Sequence, residues 1–288
     1  MVFDNAYEAL NAEGDTRWAF GTGFADPLSG MDTAVPAGVD AADLAAYCLM
    51  LGDDALIMSH RLQQWCTCAP ELEDEVALAN IGLDLLGQAR LLLARAGKAD
   101  GSGRGEDELA FFRSDREFRN VRLAEVTNGD FAFCVARLLV FATWRLALMQ
   151  RLVDSDDPVL AAIAAKAVKE LAYHRDYAAR WVVRLGDGTE LSHARMRNGL
   201  DAVWSYVEEL FAAHPVERRV GVDPSTVRAE FDGVLTEVLA AATLSRPEVD
   251  GLAGVSGHSG RDGVHTEAMG YLLAELQSVA RAHQDATW

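Results

Sequence analysis

Proline is scarce in this sequence, and long runs of β-branched residues are absent. The 288 residues include only 7 prolines, and 50% of the chain is hydrophobic, with alanine and leucine prominent. This composition favours helices over strands, and no segment shows the strict alternation of a half-buried strand. The length is sufficient for one large domain or two small ones with a sizeable core.

Positive charge is also in short supply. Lysine and arginine total 26 and aspartate and glutamate total 44, so the formal net charge is 26 − 44 = −18. A surface this acidic argues against nucleic acid or an anionic membrane as the main partner. An anionic ligand would therefore need a local cluster of arginine or lysine.

Cysteines are few and do not follow a zinc-binding spacing. A single residue separates the second from the third, which is too short for a C-x-x-C motif. Small buried thiols in a reducing compartment are the expected interpretation. The four are Cys48, Cys66, Cys68 and Cys134.

A secretory leader and an uninterrupted apolar span are the remaining absences. The first twenty residues lack the basic start and apolar core of a signal peptide. The longest apolar region, residues 131–153, is interrupted by Arg137 and Arg145, which predicts a core helix rather than a membrane span. We therefore expect a soluble cytoplasmic protein.

Helix-start signals organise most of the chain. Residues 1–40 contain several glycines and prolines without apolar periodicity and are predicted to form an extended arm. Asp130, Asp157 and Thr189 are predicted helix caps, and Pro158 suits a first helical position. Residues 41–288 are thus predicted to form one all-α domain, a bundle of long helices with additional C-terminal helices.

Two of the predicted helices carry polar residues at four-residue steps on an otherwise apolar face. These two polar ladders are Asn80, Asp84 and Gln88 in one helix, and Lys166, Glu170 and His174 in the other. Residues four apart lie on the same side of a helix. Because each ladder-bearing helix follows another long apolar helix, the pattern indicates a duplicated helical hairpin, the plan of ferritin-like bundles.

The ladders do not match a working di-iron site. Such a site takes a Glu from each of two helices and a Glu-x-x-His motif from each of the other two. His174 is preceded at the third position by Leu171, and the Glu-x-x-His at Glu190 has no second copy and lies at a predicted helix start. We therefore interpret five residues as degenerate metal-site positions and predict no bound metal; they are Asp54, Asp84, Gln88, Glu170 and His174. A solvent-facing edge and a live metal site remain the alternatives.

Several separate motifs resemble one known family. They are "LGDDALIMSHRLQQWCTCAPELEDEVALANIGLDLLGQARLLL", "NVRLAEVTNGDFAFCVARLLVF", "IAAKAVKELAYH" and "GVHTEAMGYLLAELQ". Together they resemble the C-subunit family of phenylacetyl-CoA epoxidase from about residue 43 to the C-terminus.

The resemblance implies a ferritin-like, non-catalytic structural subunit of a cytoplasmic multicomponent monooxygenase of phenylacetate catabolism. In that family a separate catalytic subunit holds the di-iron centre, a reductase subunit supplies electrons from NADPH, and the C subunit pairs with the catalytic one. The partners implied are therefore the catalytic di-iron subunit, the other subunits and phenylacetyl-CoA, with no cofactor in this chain. A di-iron oxygenase or metal-binding protein in its own right is the alternative function.

One basic segment stands out from the acidic background. Arginines recur every third residue in "FFRSDREFRNVR", where they can bind phosphates and the phenylalanines can stack on a base. The resemblance implies that the stretch Glu117, Phe118, Arg119 and Asn120 contacts the CoA end of the substrate. Surface ion pairing with neighbouring acids is the alternative. The full set of candidate CoA-contacting residues is Arg113, Arg116, Glu117, Phe118, Arg119 and Asn120, with Arg218 and Arg219 as a second basic spot.

Overall fold

The described part of the chain forms helices joined by turns and loops. A computed structural model describes residues 32–252, 254 and 257–284, and these residues contain helices but no β-strand. The all-α, ferritin-like prediction is confirmed. The ten α-helices of the described residues are α1 (Ala41–Gln63), α2 (Leu72–Ala99), α3 (Glu106–Phe111), α4 (Arg122–Glu125), α5 (Phe131–Leu152), α6 (Pro158–Gly186), α7 (Glu190–Trp204), α8 (Pro215–Val220), α9 (Arg228–Ala241) and α10 (Glu267–Ala282).

The predicted extended arm falls mostly outside this description. Residues 1–31 are not among the described residues, and residues 32–40 form no helix before α1 begins. The arm over residues 1–40 therefore stays a prediction.

Side-chain caps set the starts of the long helices. The carboxylate of Asp130 accepts a hydrogen bond from the Phe133 amide at 3.0 Å, and that of Asp157 accepts one from the Leu160 amide at 2.7 Å. The Thr189 hydroxyl accepts from the Ser192 amide at 3.2 Å. Each cap satisfies an amide that has no partner within its own helix, which is why the helices begin where the sequence predicts.

Two helical hairpins form the bundle. Helix α1 packs along α2, helix α5 packs along α6, and α2 contacts α6 across the seam between the hairpins. Residue pairs across that seam join Asp74 to Trp181 and Asp84 to His174, so α2 and α6 run antiparallel. Helices α1 and α5 are buried along most of their length, which places the core between the hairpins.

Helices α2 and α5 are both long and apolar enough to cross a membrane by length and composition alone. In α5, 89% of the apolar stretch is buried inside the protein, so the core accounts for its character. In α2 only 44% of the corresponding stretch is buried. Helix α2 therefore presents apolar surface that the described residues do not cover.

The region after α7 differs from the sequence-based expectation. A single helix was expected from Thr189 to about Ala213, but α7 ends at Trp204 and the separate short helix α8 follows. Helix α8 has a reciprocal cap, in which His214 accepts from the Val216 amide at 3.2 Å and Glu217 accepts from the His214 amide at 2.7 Å. The break allows Glu217 to turn inward and meet Arg261 at 3.3 Å.

Candidate functional site

The four long helices each send one polar side chain to the middle of the bundle. Arg145 of α5 donates through Nε to Gln88 Oε1 of α2 at 3.1 Å, and its Nη1 lies 4.0 Å from Asp54 Oδ2 of α1. Gln88 in turn donates to Glu170 Oε2 of α6 at 2.9 Å. We call these four residues the polar centre. Three of them are predicted degenerate metal positions, and the fourth is a guanidinium.

The polar ladders lie on the seam between α2 and α6 and reach from the core to the surface. Gln88 and His174 are buried, whereas Asn80 is exposed. His174 Nε2 lies 3.0 Å from Asp84 Oδ2, and the Asp84 side chain is 38% exposed. Gln88 and His174 therefore belong to a polar core, whereas Asn80 and Asp84 reach solvent.

Two residues of the second ladder form the ion pair that their four-residue spacing predicts. Lys166 forms an ion pair with Glu170 one turn further along α6, and both side chains are partly exposed. Glu170 therefore has two partners, the Lys166 ammonium and the Gln88 amide.

The two acids in the middle of α1 are each held by an arginine from outside the four long helices. Arg261 forms two hydrogen bonds of 2.9 Å to the two carboxylate oxygens of Asp54, and the Val121 amide adds a third at 2.8 Å. Arg113 pairs with both oxygens of Asp53, and its Nη1 lies 3.0 Å from Oδ2. Both carboxylates are fully buried, and each accepts three hydrogen bonds.

A ferritin-like plan raises the question of whether these residues fit a pair of metal ions, and they do not. The described residues contain no group of three or more His, Cys, Asp or Glu side chains placed to hold a metal ion. The candidate carboxylates already bind the cations Arg261 and Lys166, and the Arg145 guanidinium repels any additional positive charge. Arg145 is fully buried, and burial lowers its pKa to about 10, so it stays charged at neutral pH.

Two residues of this arrangement were not among the sequence-based candidates. Arg145 was recognised only as an interruption of an apolar helix, and Arg261 lies in a glycine-rich loop without periodicity. The signal for Arg145 was its position, because an arginine on the buried face of an apolar helix requires partners. The loop around Arg261 carries no comparable signal.

The predicted CoA-contacting segment has a buried side and an exposed side. Phe118 and Asn120 are fully buried, and the buried Arg113 guanidinium lies 4.1 Å from the centre of the Phe118 ring. Asn120 donates to Glu125 at 2.8 Å. These three side chains are therefore internal, because Arg113 binds the Asp53 carboxylate and Asn120 binds the Glu125 carboxylate, and their contact with CoA stays a prediction.

The remaining members of the segment reach solvent. Arg116 and Glu117 are exposed, and Arg119 is half-buried with Nη1 donating to the carbonyls of Arg116 at 2.6 Å and Phe118 at 2.8 Å. Glu117 accepts from the Ser114 amide at 2.8 Å, and this bond lowers the pKa of its carboxyl. For these exposed residues the contact with CoA stays a prediction.

The second basic spot is exposed and its members have acidic partners. Arg218 Nε lies 3.1 Å from Asp223, and Arg219 makes a two-pronged contact with Asp43 at 2.5 and 2.6 Å. The hydrogen bond from Arg219 lowers the pKa of Asp43. Surface pairs of this kind contribute little stability and can exchange for a ligand at small cost.

An open cavity lies between the arginine segment and the start of α8. Its volume is about 480 Å³, and it contains Arg119 from the first segment and His214 at the start of α8, which carries Arg218 and Arg219. Of the two guanidiniums on its walls, Arg261 is paired with Asp54 and Glu217, which leaves Arg119 as the group that can offer its charge to an anion. The lining residues are Ala46, Leu49, Met50, Arg119, His214, Val216, His258, Arg261 and Asp262.

Helix α2 carries an apolar stripe on its outer side. Leu72, Val76 and Leu83 are 71%, 53% and 38% exposed. Their spacing of four and seven residues keeps them within a narrow angle of one another around the helix. An aligned row of large exposed apolar side chains is typical of an interaction surface.

Comparison with known proteins identifies the family of the chain. The family described as "Phenylacetic acid catabolic protein" matches residues 31–288. The C subunit of the 1,2-phenylacetyl-CoA epoxidase of Escherichia coli (strain K12) is 43% identical over 250 residues, which cover 85% of this chain and 99% of that protein. The chain therefore belongs to the phenylacetic acid catabolic protein family.

Proposed function

We propose that this chain is the non-catalytic structural subunit of a cytoplasmic, multicomponent 1,2-phenylacetyl-CoA epoxidase. In this proposal a separate catalytic subunit holds the di-iron centre, and a reductase subunit supplies electrons from NADPH. The observation that carries the proposal is the polar centre. A chain 43% identical to the C subunit of such an epoxidase has a guanidinium, Arg145, where the fold could have held metal.

We further propose that the apolar stripe of α2 is the face that pairs with the catalytic di-iron subunit. The stripe supports this because it offers a row of large apolar side chains along a helix whose apolar stretch is less than half buried. Packing a helix of a second bundle against the row would remove these side chains from water, which is favourable in proportion to the apolar area covered.

The pairing is testable by co-purification. We expect Val76→Glu with Leu83→Glu to abolish co-purification with the co-expressed catalytic subunit, because two buried unpaired carboxylates would face the partner. Val279→Glu on α10 is the matched control, since Val279 is also exposed, at 56%, but lies on another helix. Undiminished co-purification of the double variant would contradict this choice of face, and the absence of any complex with the unaltered chain would contradict the proposed function.

We also propose that the exposed side of the arginine segment contacts the CoA part of the substrate. The cavity supports this, because Arg119 lies on its wall opposite solvent-accessible space, and CoA carries phosphates that guanidinium groups bind well. Arg116 is the exposed neighbour of Arg119 in the same segment. A contact remote from the reacting ring would bind the ground state and the transition state about equally.

Steady-state kinetics of the assembled complex test this contact. Replacing Arg116 and Arg119 with alanine should raise the Michaelis constant for phenylacetyl-CoA about tenfold or more. Losing the free energy of a charge-assisted hydrogen bond weakens binding by about that factor. Turnover at saturating substrate should change little. Arg180→Ala is the matched control, because Arg180 is a surface arginine paired with Asp176 on α6. An unchanged Michaelis constant in a normally assembled complex would rule out the contact.

A further inference from the structure

A second cavity lies between the start of α2 and the C-terminal half of α6. Its volume is about 400 Å³, and two half-buried aromatic side chains of α6, Tyr177 and Trp181, form part of its wall. Asp74 of α2 also lines it and is only 6% exposed. The cavity therefore combines an aromatic wall with a buried carboxylate. Its remaining lining residues are exposed charged groups, namely Glu71, Glu73, Arg180 and Arg184.

The Asp74 carboxylate is held in place through one of its two oxygens. The Tyr177 hydroxyl and the Trp181 indole N–H both donate to Oδ1, each at 2.9 Å. The other oxygen, Oδ2, accepts no hydrogen bond from the described residues. Because Asp74 lies in the first turn of α2, the helix N-terminus offsets part of its charge. Asp74 is thus oriented by its neighbours, while Oδ2 can still accept a hydrogen bond.

Asp74 differs from the other buried acids in having no cation beside it. Among the described residues, each of the other buried acids forms an ion pair with an arginine or a histidine, whereas Asp74 forms none. A buried carboxylate normally requires such a partner, because leaving water without one is costly. The paired acids are Asp53 with Arg113, Asp54 and Glu217 with Arg261, Glu125 with His265, and Asp157 with Arg95.

The two arginines of the cavity do not supply this cation. Arg180 is bonded to Asp176 one turn away, and its side chain is 79% exposed. The Arg184 guanidinium lies 4.7 Å from the centre of the Trp181 ring rather than on Asp74. This stacking shows that the aromatic wall suits a planar cation. Three carboxylates and two guanidiniums line the cavity, so its charge is negative overall.

We propose that this cavity is a docking site for an arginine side chain of another subunit, whose guanidinium group supplies the cation that Asp74 lacks. The guanidinium would donate to Asp74 Oδ2 and lie against the aromatic wall, for which its charge and planar shape are suited. The presence of such a subunit rests on the proposed function, in which the chain works within a multicomponent complex.

The position of Asp74 on α2 indicates which subunit docks. Each residue turns the helix by 100°, so Asp74 points about 200° away from Leu72 and from Val76, on the opposite side of the helix from the apolar stripe. A subunit that covers the stripe would therefore leave the cavity open. The arginine comes from a subunit other than the catalytic one.

Nuclear magnetic resonance of the isolated full-length chain tests the site, with Nα-acetyl-arginine amide as the probe. The indole N–H of Trp181, assigned through Trp181→Phe, reports on the site because it donates to Asp74. Millimolar probe should shift this resonance saturably. Nα-acetyl-citrulline amide, which has a similar shape without the charge, should leave it in place. No shift with the arginine compound, or an equal shift with the citrulline compound, would overturn the proposal.

Asp74→Asn removes the charge but keeps an oxygen that can accept from Tyr177 and Trp181, so this variant should fold. It should weaken binding of the arginine compound about tenfold or more, the factor expected for loss of a charge-assisted hydrogen bond. Asp176→Asn is the matched control, because Asp176 is an exposed acid of α6 that pairs with Arg180. Equal affinities of the two variants would overturn the proposal. If Asp74→Asn does not fold, the comparison of arginine with citrulline on the unaltered chain decides alone.

Titration with the purified subunits of the complex, one at a time, tests the source of the arginine. Asp74→Asn should raise the dissociation constant for one of the remaining subunits about tenfold or more and leave that for the catalytic subunit unchanged. An unchanged dissociation constant for every remaining subunit would overturn the docking. If the unaltered chain binds none of the subunits, the proposed function fails as well, so the two failures are distinguishable.

Discussion

Replacing Arg261 with methionine should be among the most destabilising single changes in the protein. The Arg261 guanidinium is buried, holds both oxygens of Asp54 at 2.9 Å and lies 3.3 Å from Glu217. It also donates to the Arg119 carbonyl at 2.7 Å and the Met50 carbonyl at 3.2 Å, so it ties the C-terminal loop to α1 and to the arginine segment. Burial alone would lower the pKa of Arg261, but the two carboxylates outweigh it and raise the pKa.

The magnitude follows from what the substitution leaves behind. Methionine fills much of the space of the arginine stem, but Asp54 would keep only the Val121 amide at 2.8 Å and the more distant Arg145. Breaking a buried pair from one side costs about 3–5 kcal/mol, because the remaining charge stays buried without compensation. Arg180→Met is the control: its ion pair is at the surface, and the expected loss is within about 0.5 kcal/mol.

Denaturant unfolding followed by circular dichroism measures both variants, and a double variant tests the cause. If the loss comes from the stranded charge, Asp54→Asn should recover part of it in the Arg261→Met background, because residues in direct contact are not additive. A loss below about 1 kcal/mol for Arg261→Met would refute the reasoning. Strict additivity of the two changes would assign the loss to packing rather than to charge.

Two further predictions concern pH and close backbone contacts. Because the Glu125 carboxylate bonds His265 and raises its pKa above the usual 6.5, the stabilising pair should be complete at low pH and lost as pH rises through the raised value. The gap in unfolding free energy between the unaltered chain and His265→Asn should therefore be larger at about pH 6 than at about pH 9. Gly97→Ala should destabilise by roughly 1–3 kcal/mol, since its Cβ would lie 1.9 Å from the Arg104 carbonyl oxygen. In Gly233→Ala, in α9, the new Cβ would meet no atom within 4 Å, and the variant should be more stable by about 0.4–1 kcal/mol. Thermal melts in which both glycine variants shift the melting temperature in the same direction would contradict this reasoning.

The fold could be predicted from the sequence wherever the signal was local. Helix caps at Asp130, Asp157 and Thr189 involve partners three residues away, and all three helices begin as predicted. Helix α8 escaped prediction because its cap begins with His214, which is not one of the residues that usually cap helices. The contact of Glu217 with Arg261 joins distant parts of the chain and leaves no periodic trace.

The same distinction explains the candidate site. The polar ladders were recognisable because four-residue spacing within one helix is a local pattern. Their pairing across the seam, such as that of Asp84 with His174, depends on how α2 and α6 pack and could not be deduced from spacing. In the arginine segment, regular spacing concealed the difference between Arg113, which is internal, and Arg116, which is exposed.

The central claim is that cationic side chains, with Arg145 in the middle, take the place of metal in this bundle. Its most direct test is to incubate the purified chain anaerobically with ferrous iron, desalt it, and determine the iron content and the absorption spectrum after exposure to air. We expect no stoichiometric iron and no absorption from an oxo-bridged pair. Two irons per chain with that absorption would contradict the claim.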